Sequence, residues 1–273
     1  MHAGTDINPQ VSVLMATRNR SLSLQRALKS LCRQSWHNIE ILIADDASTD
    51  NTVRVLHNAA AEDSRVRVFR NKKPIGLPAA LNRLLGESRG KYIARMDDDD
   101  VAYPERFERQ IRFMQQNGIH VCGTWYRRIS SWGRSIIRTP KDDETIRTEL
   151  LFQPPLLHPS VMICRSTLID HGGYDTGFPY AEDYELWARI APHVRFGNVP
   201  EVLLDYSISK KQVSKRFNKR QVESAMLVRA RYLTQMGIPY NQSQLIVHGS
   251  LRAPTPIRSL HELRACENWL QEL

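Results

Sequence analysis

Along the first hundred residues, short unbroken apolar runs alternate with stretches in which apolar residues recur every three or four positions. The runs at 11–16, 39–44, 66–69 and 91–96 read as strands buried on both faces. The stretches carrying Leu24, Leu28 and Leu31, then Val53, Leu56 and Ala60, then 79–85 read as helices. This alternation predicts βαβ units and a parallel sheet. Ser21 is the expected cap of the first helix, and Gly90 the close of the third. Pro104 suits the first turn of a further helix with Phe107, Ile111 and Met114 inward and Gly118 as its stop. From 121 to 204 the pattern changes. Strand-like pieces (121–126, 135–138, 160–164) are broken by Pro154-Pro155 and Gly172-Gly173, which predicts a mixed half-sheet beside the parallel one. Helical spacing returns at 182–191, where Trp187 and Ile190 read as core. It returns again beyond Ser207, with Val222, Met226 and Leu233 inward before Gly237, and at 256–273 with Leu260, Leu263 and Leu270. The division is an N-terminal tail (1–10), an α/β domain (11–206) and a mainly helical extension (207–273).

The fourth run ends in Asp97-Asp98-Asp99-Asp100. Four adjacent carboxylates repel one another, and burial adds a desolvation cost. They stand either as a solvated acidic turn or around a hard divalent cation such as Mg²⁺ or Mn²⁺, whose remaining ligands are phosphate oxygens. The end of a strand in an α/β sheet is where such ligands bind. Lys and Arg outnumber Asp and Glu by 38 to 29, and the net charge of +9 suggests an anionic partner without choosing among nucleic acid, phosphorylated ligand and acidic membrane. Cys32, Cys122, Cys164 and Cys266 lie far apart with no CxxC pairing, which argues against structural zinc and reads as free thiols in a reducing cytosol. Residues 1–10 lack the apolar core of a signal peptide, and no apolar run approaches the roughly 18 residues that span a bilayer. A soluble protein, at most bound to a membrane surface, is expected.

Other candidate groups each have two readings. The turn 17–21 has no glycine, which argues against the dinucleotide GxGxxG and the P-loop. Asp45 and Asp46 end the second strand, where a carboxylate accepts from a ribose hydroxyl or a base imide, or else caps the next helix; Asp50 is the better cap. Glu182-Asp183 opens a helix after an aromatic, Gly-rich loop, as a general base or as ordinary first-turn acids. His158 is either a metal or phosphate ligand or a structural histidine. Lys210, Lys211, Lys215, Arg216, Lys219 and Arg220 form a solvated face, a phosphate clamp or an anionic-lipid patch.

Five stretches in order, 11–20, 40–50, 76–82, 90–100 and 181–189, resemble the motifs of family-2 glycosyltransferases, and the resemblance covers about residues 11–205. It implies a GT-A fold with a Rossmann-like, mostly parallel central sheet. Residues 11–100 would form the nucleotide-binding half and 101–206 the acceptor half. It further implies inverting transfer of a hexose or N-acetylhexosamine from a UDP-sugar to a saccharide or lipid-linked acceptor. On this resemblance Ala16, Thr17 and Arg18 lie along base and ribose. Asp46 bonds the uracil with Asp45 in support, and Asn82 belongs to the donor side. Asp97-Asp98-Asp99 is the DxD element, with Asp98 near the ribose, Asp99 and Asp97 on a Mn²⁺ or Mg²⁺ ion, and Asp100 beside the donor sugar. Asp183 is the base, with Glu182 beside it. Arg18 stands where the family commonly has Tyr, and Ala47 where it has Gly. The implied setting is cell-surface polysaccharide or lipopolysaccharide assembly at the cytoplasmic membrane face, with peripheral contact through 210–220. Two other classes stand beside it. One is a non-catalytic nucleotide-sugar module; the other is a nucleic-acid binder, which the acidic strand ends disfavour.

Overall fold

Four apolar runs form the parallel half of a single sheet: β1 (Val11–Thr17), β2 (Ile39–Asp45), β3 (Val66–Arg70) and β4 (Tyr92–Arg95). The computed structural model of the protein describes residues 8–208, 218–251 and 259–273. Each parallel crossover carries a helix: α1 (Ser21–Cys32), α2 (Thr52–Glu62) and α3 (Leu77–Glu87). Val11, Val13 and Met15 of β1 enter one core with α1, α2 and the later α4 (Arg106–Asn117), while Leu14 enters the other beside Leu81 and Leu84 of α3. Alternate residues go to opposite faces and both faces are covered, which explains the unbroken apolar runs.

The second half is not a separate sheet packed beside the first but its continuation. The order is β3-β2-β1-β4-β8-β6-β9-β5, with β7 on β6. Here β5 is Val101–Ala102, β6 Val121–Ser130, β7 Gly133–Ile137, β8 Met162–Cys164 and β9 Phe196–Ser207. The join is antiparallel, β4 to β8, whereas β6 and β9 run parallel through a bulge near Trp125. The helices α5 (Asp143–Leu150), α6 (Arg165–Asp170) and α7 (Glu182–Ile190) complete this half.

Several local expectations change. Ser21 is the first residue of α1, not its cap; Asp50, from the turn before α2, accepts from Ser21 and also from the Thr52 amide at 2.9 Å. Pro104 lies in the turn ahead of α4. Gly90 does not close α3, which ends at Glu87. Its hydrogen side faces β1, where a Cβ would stand 2.6 Å from the Ser12 amide nitrogen. Ala47, in the turn after β2, has φ 61°, the left-handed conformation that costs a non-glycine residue about 1–2 kcal/mol. Part of any relief is offset by the about 0.4–1 kcal/mol that glycine's freer unfolded chain costs. Ala47→Gly is therefore expected to stabilise by up to about 1 kcal/mol. Urea unfolding measures this, and a clear loss of stability would show that the turn is unstrained.

The extension contributes α8 (Asn218–Gln235), α9 (Gln242–Ser250) and α10 (Leu260–Glu272). Val228, Tyr232 and Leu233 of α8 are buried, while Val222 is 52% exposed, contrary to its expected inward position. In α10 the buried face is Cys266 and Trp269, and the leucine stripe Leu260, Leu263 and Leu270 faces solvent. The Trp269 indole N–H donates to His248 Nδ1 (2.9 Å), and His248 Nε2 bonds the Leu151 carbonyl (2.6 Å) at the end of α5. Gln235 of α8 donates to the Ala188 carbonyl and Gln221 to the Tyr180 carbonyl. The extension therefore buttresses α7 and the loop ahead of it. Among the described residues no helix is long and apolar enough to cross a membrane.

Candidate active site

The parallel register sets the ends of β1, β2 and β4 along one edge, with Thr17 opposite Asp45 and Leu14 opposite Arg95. The four aspartates therefore emerge from β4 beside the β1 turn. The Thr17 hydroxyl donates to Asp98 Oδ2 at 2.6 Å, and the Asp46 amide donates to the Thr17 carbonyl at 2.9 Å. Asp97, Asp99 and Asp100 each direct a carboxylate oxygen so that the three lie within 4.8 Å of one another. Asp100 is fully buried. One of its oxygens accepts from the Ser207 amide (2.8 Å), and the other has no partner. Burial first, and neighbouring Asp97 second, raise the pKa of Asp99 and Asp100; burial raises Asp98 to about 7 against the bond from Thr17. Such a set is unfavourable as bare anions. A hard divalent cation supplies what it lacks, since three converging carboxylate oxygens and one unpartnered buried oxygen are its donor chemistry. The residues fit the ion. Asp100 thus joins Asp97 and Asp99 in the cluster.

Across from this turn, α7 starts at Glu182 after the loop 173–181. Its first-turn amides face Glu182 and Asp183, and Asp183 Oδ1 accepts from the Tyr184 amide at 2.8 Å. Burial raises the pKa of both acids, Glu182 further through Asp183, and the charge of Asp97 acts on both. A carboxylate whose pKa is raised toward neutral pH beside an acidic cluster has the basicity that proton abstraction from a hydroxyl requires.

Residues 12–172 match the family described as "Glycosyl transferase family 2", which is more than half of the chain. The chain belongs to glycosyl transferase family 2. It is 32% identical over 212 residues to the O-antigen biosynthesis glycosyltransferase WbnJ of Escherichia coli, covering 75% of this chain and 82% of that one. It is 28% identical over 218 residues to an Escherichia coli UDP-Gal:alpha-D-GlcNAc-diphosphoundecaprenol beta-1,3-galactosyltransferase, covering 78% and 79%. Among solved structures, S. aureus TarS 1–349 in complex with UDP-GlcNAc superposes with a TM-score of 0.71 at 16% identity, covering 96% of this chain and 79% of that one. The fold is GT-A, and the protein is a glycosyltransferase.

The expected donor residues differ in how far their polar atoms are already engaged within the protein. Asp46 has both oxygens engaged inside the protein, Oδ1 by the Asn71 amide group and Ile75 N–H and Oδ2 by Gly76 N–H, so it ties down the loop ahead of α3. Asp45 is more deeply buried. Its Oδ1 accepts from Ser48 N–H, while Oδ2 lies 3.4 Å from Arg70 Nε without hydrogen-bond geometry. Ala16 is half-buried against the core and Arg18 is exposed. Asn82 brackets the backbone of Tyr174, donating to its carbonyl (2.7 Å) and accepting from its N–H (2.8 Å). It positions the loop before α7. His158 is buried, with Nε2 3.0 Å from the Tyr174 hydroxyl, and burial and Arg95 lower its pKa well below the usual value. It does not belong to the carboxylate cluster and acts as a neutral core histidine under the same loop. Breaking the bracket with Asn82→Ala leaves the Tyr174 backbone groups without their side-chain partners. The expected result is a loss of about 1–3 kcal/mol in thermal or denaturant unfolding, with no change in UDP affinity; a selective loss of UDP binding would return Asn82 to the donor.

Two cations at the site escape sequence reasoning. Arg20, rather than Arg18, faces the cluster, 3.9 Å from Asp99. Arg95 is buried and pairs with Asp97 at 2.5 Å. The available signal for Arg95 was a charged residue inside an otherwise apolar strand, where a buried charge demands a partner.

Proposed function

We propose that the protein transfers a hexose or N-acetylhexosamine from a UDP-sugar to a saccharide or lipid-linked acceptor, with inversion and with a bound Mn²⁺ or Mg²⁺ ion, in the assembly of cell-surface polysaccharide. One observation carries the reading: a cluster of three convergent carboxylates and a second carboxylate pair on a helix N-terminus lie at one end of the sheet, each within the electrostatic reach of the other. The names of the two Escherichia coli relatives support the surface-polysaccharide setting, and the UDP-GlcNAc complex of TarS supports the donor class.

In this reading Asp97 and Asp99 hold the cation with Asp100 beside them. The ion, when bound, offsets the charge that develops on the leaving diphosphate. Thr17 and Asp98 line the ribose, and Asp46, with Asp45 in support, receives the base imide while it also holds the loop ahead of α3 in place. Arg20 faces the diphosphate side. Asp183 takes the proton of the attacking acceptor hydroxyl as that oxygen displaces UDP from the anomeric carbon, and Glu182 shares the proton load. Lys219 and Arg220 are exposed, in keeping with contact to an anionic surface on the cytoplasmic side; the rest of the basic run lies outside the described residues. UDP release from a panel of UDP-sugars with Mn²⁺ tests the proposal. One donor should turn over, and a protein that neither binds nor turns over any UDP-sugar with metal present would overturn the donor assignment.

A further inference from the structure

Two arginines are buried under the acidic turn, and they are built differently. Arg106 is fully buried and touches no carboxylate. Its Nε donates to Gln110 Oε1 (3.1 Å), Nη2 to the carbonyls of Arg95 (2.9 Å) and Val161 (3.4 Å), and Nη1 lies against Met96 Sδ. Burial lowers its pKa to about 9. These bonds hold the strand end together, and that accounts for it.

Arg95 is bonded to the site instead. One Nη pairs with Asp97 Oδ1, the other donates to the Met96 carbonyl, and its Nε is buried with no partner. Its charge also favours the ionised forms of Asp99, Asp100, Glu182 and Asp183. A buried ion pair gives little net stability over packed apolar side chains. The fold alone therefore gives weak reason for a guanidinium here, whereas one cation shared by two groups of acids has an evident use. The bond to Oδ1 fixes the rotation of the Asp97 carboxylate and so where its second oxygen points.

We propose that Arg95 is a positioning residue for transfer: its guanidinium is the shared counter-ion that aligns Asp97 in the cation cluster with the Glu182–Asp183 pair on α7. The inference rests on the functional reading above, in which those two groups serve the leaving diphosphate and the attacking hydroxyl. It assigns Arg95 no contact with substrate.

The test compares Arg95→Lys, which keeps a charge but loses the planar fork, with Arg95→Met, which loses both. Mn²⁺ affinity of the sugar-free protein is read from the electron paramagnetic resonance of free Mn²⁺, UDP affinity by calorimetry, and folding by melting temperature. Turnover is then measured against pH. In Arg95→Lys, Mn²⁺ affinity should fall about tenfold and turnover per folded molecule about 10–100-fold, with the donor KM little changed. In Arg95→Met the acidic limb of the turnover profile should also move to higher pH. The titratable and charged groups acting on Asp183 there are Glu182 on its own helix, Asp97 and Arg95 at the end of β4, and Tyr174 in the loop; among these only Arg95 favours the ionised form, adding to the backbone N–H groups of Tyr184 and Asp183. Should Arg95→Met fail to fold, the Mn²⁺ and turnover comparison in Arg95→Lys decides alone. Lower melting temperature with wild-type Mn²⁺ affinity and wild-type turnover per folded molecule would overturn the inference and make Arg95 a second Arg106. A wild-type protein that binds Mn²⁺ and UDP but transfers no sugar would sink the functional reading instead. The Mn²⁺ affinities of the variants would still decide whether Arg95 aligns Asp97.

Discussion

Asp183→Asn is expected to lower turnover by about 10²–10⁴-fold, the usual contribution of a positioned general base, while UDP and Mn²⁺ bind as in the wild type. The amide is nearly isosteric, and its oxygen can still accept from the Tyr184 N–H at the start of α7. What disappears is the ability to take a proton. Glu182→Gln should cost less, because in this reading Glu182 only shares the proton load that Asp183 takes. For the wild type, burial raises the pKa of Asp183 above that of an ordinary carboxylic acid. Turnover should accordingly fall on acidification at a higher pH than a solvent-exposed aspartate would dictate, and that limb should vanish in Asp183→Asn. Pre-steady-state and steady-state turnover of the donor identified by UDP release measures both. A variant that keeps turnover within a fewfold of wild type would remove Asp183 from the base position.

Asp99→Ala should abolish the stabilisation that Mn²⁺ and UDP together give the protein. Saturating ligand at about a hundred times its dissociation constant contributes about 2.7 kcal/mol, which for a domain of this size is a rise of about 5–10 °C in melting temperature. The sign with pH follows from the raised carboxylates. Asp98, Asp99 and Asp100 bind protons more readily in the folded protein than in the unfolded chain. Between the ordinary aspartate range near 4 and the folded value of about 7 for Asp98, the folded state therefore holds more protons, and the metal-free protein loses stability as pH rises. A cation competes with those protons. The Mn²⁺-induced rise should thus be larger at pH 7.5 than at pH 5.5 in the wild type, and absent at both in Asp99→Ala, whose metal-free melting temperature should equal or exceed that of the wild type near neutrality. An equal Mn²⁺ response in wild type and variant would separate Asp99 from the cation.

The alternation of runs and helical stretches carried most of the parallel half, because a strand covered on both faces has no room for a polar position and so announces itself. The continuation into the antiparallel half was less legible. β5 and β8 are two and three residues long, too short for any periodicity, and their pairing depends on β9 and β4 far away in the chain. The apolar stripe of α10 misled for a related reason. Leu260, Leu263 and Leu270 share a face, but so do Cys266 and Trp269, and only the presence of His248 and Phe152 opposite decides which face is buried.

At the site, the acids were legible because consecutive or paired carboxylates at strand ends and helix starts are costly without a purpose. Asp97 to Asp100, Asp45 and Asp46, and Glu182 with Asp183 were all marked out from their positions alone. Their division of labour was not legible. How far Asp46 is engaged by the protein depends on where the amides of Ile75 and Gly76 fall, and the surroundings of Asn82 and His158 depend on a loop some 90 and 16 residues away. Arg18, Arg20 and Arg95 are alike as letters, and long side chains reach in directions that only packing selects. The chain by itself determined the family, the sheet's parallel half and the identity of the acids, because these rest on local pattern and on the cost of burying charge. Tertiary structure decided which carboxylate oxygens are already engaged, which arginine pairs with the acidic turn and which face of each terminal helix is covered, because those follow from how the side chains pack in the folded chain.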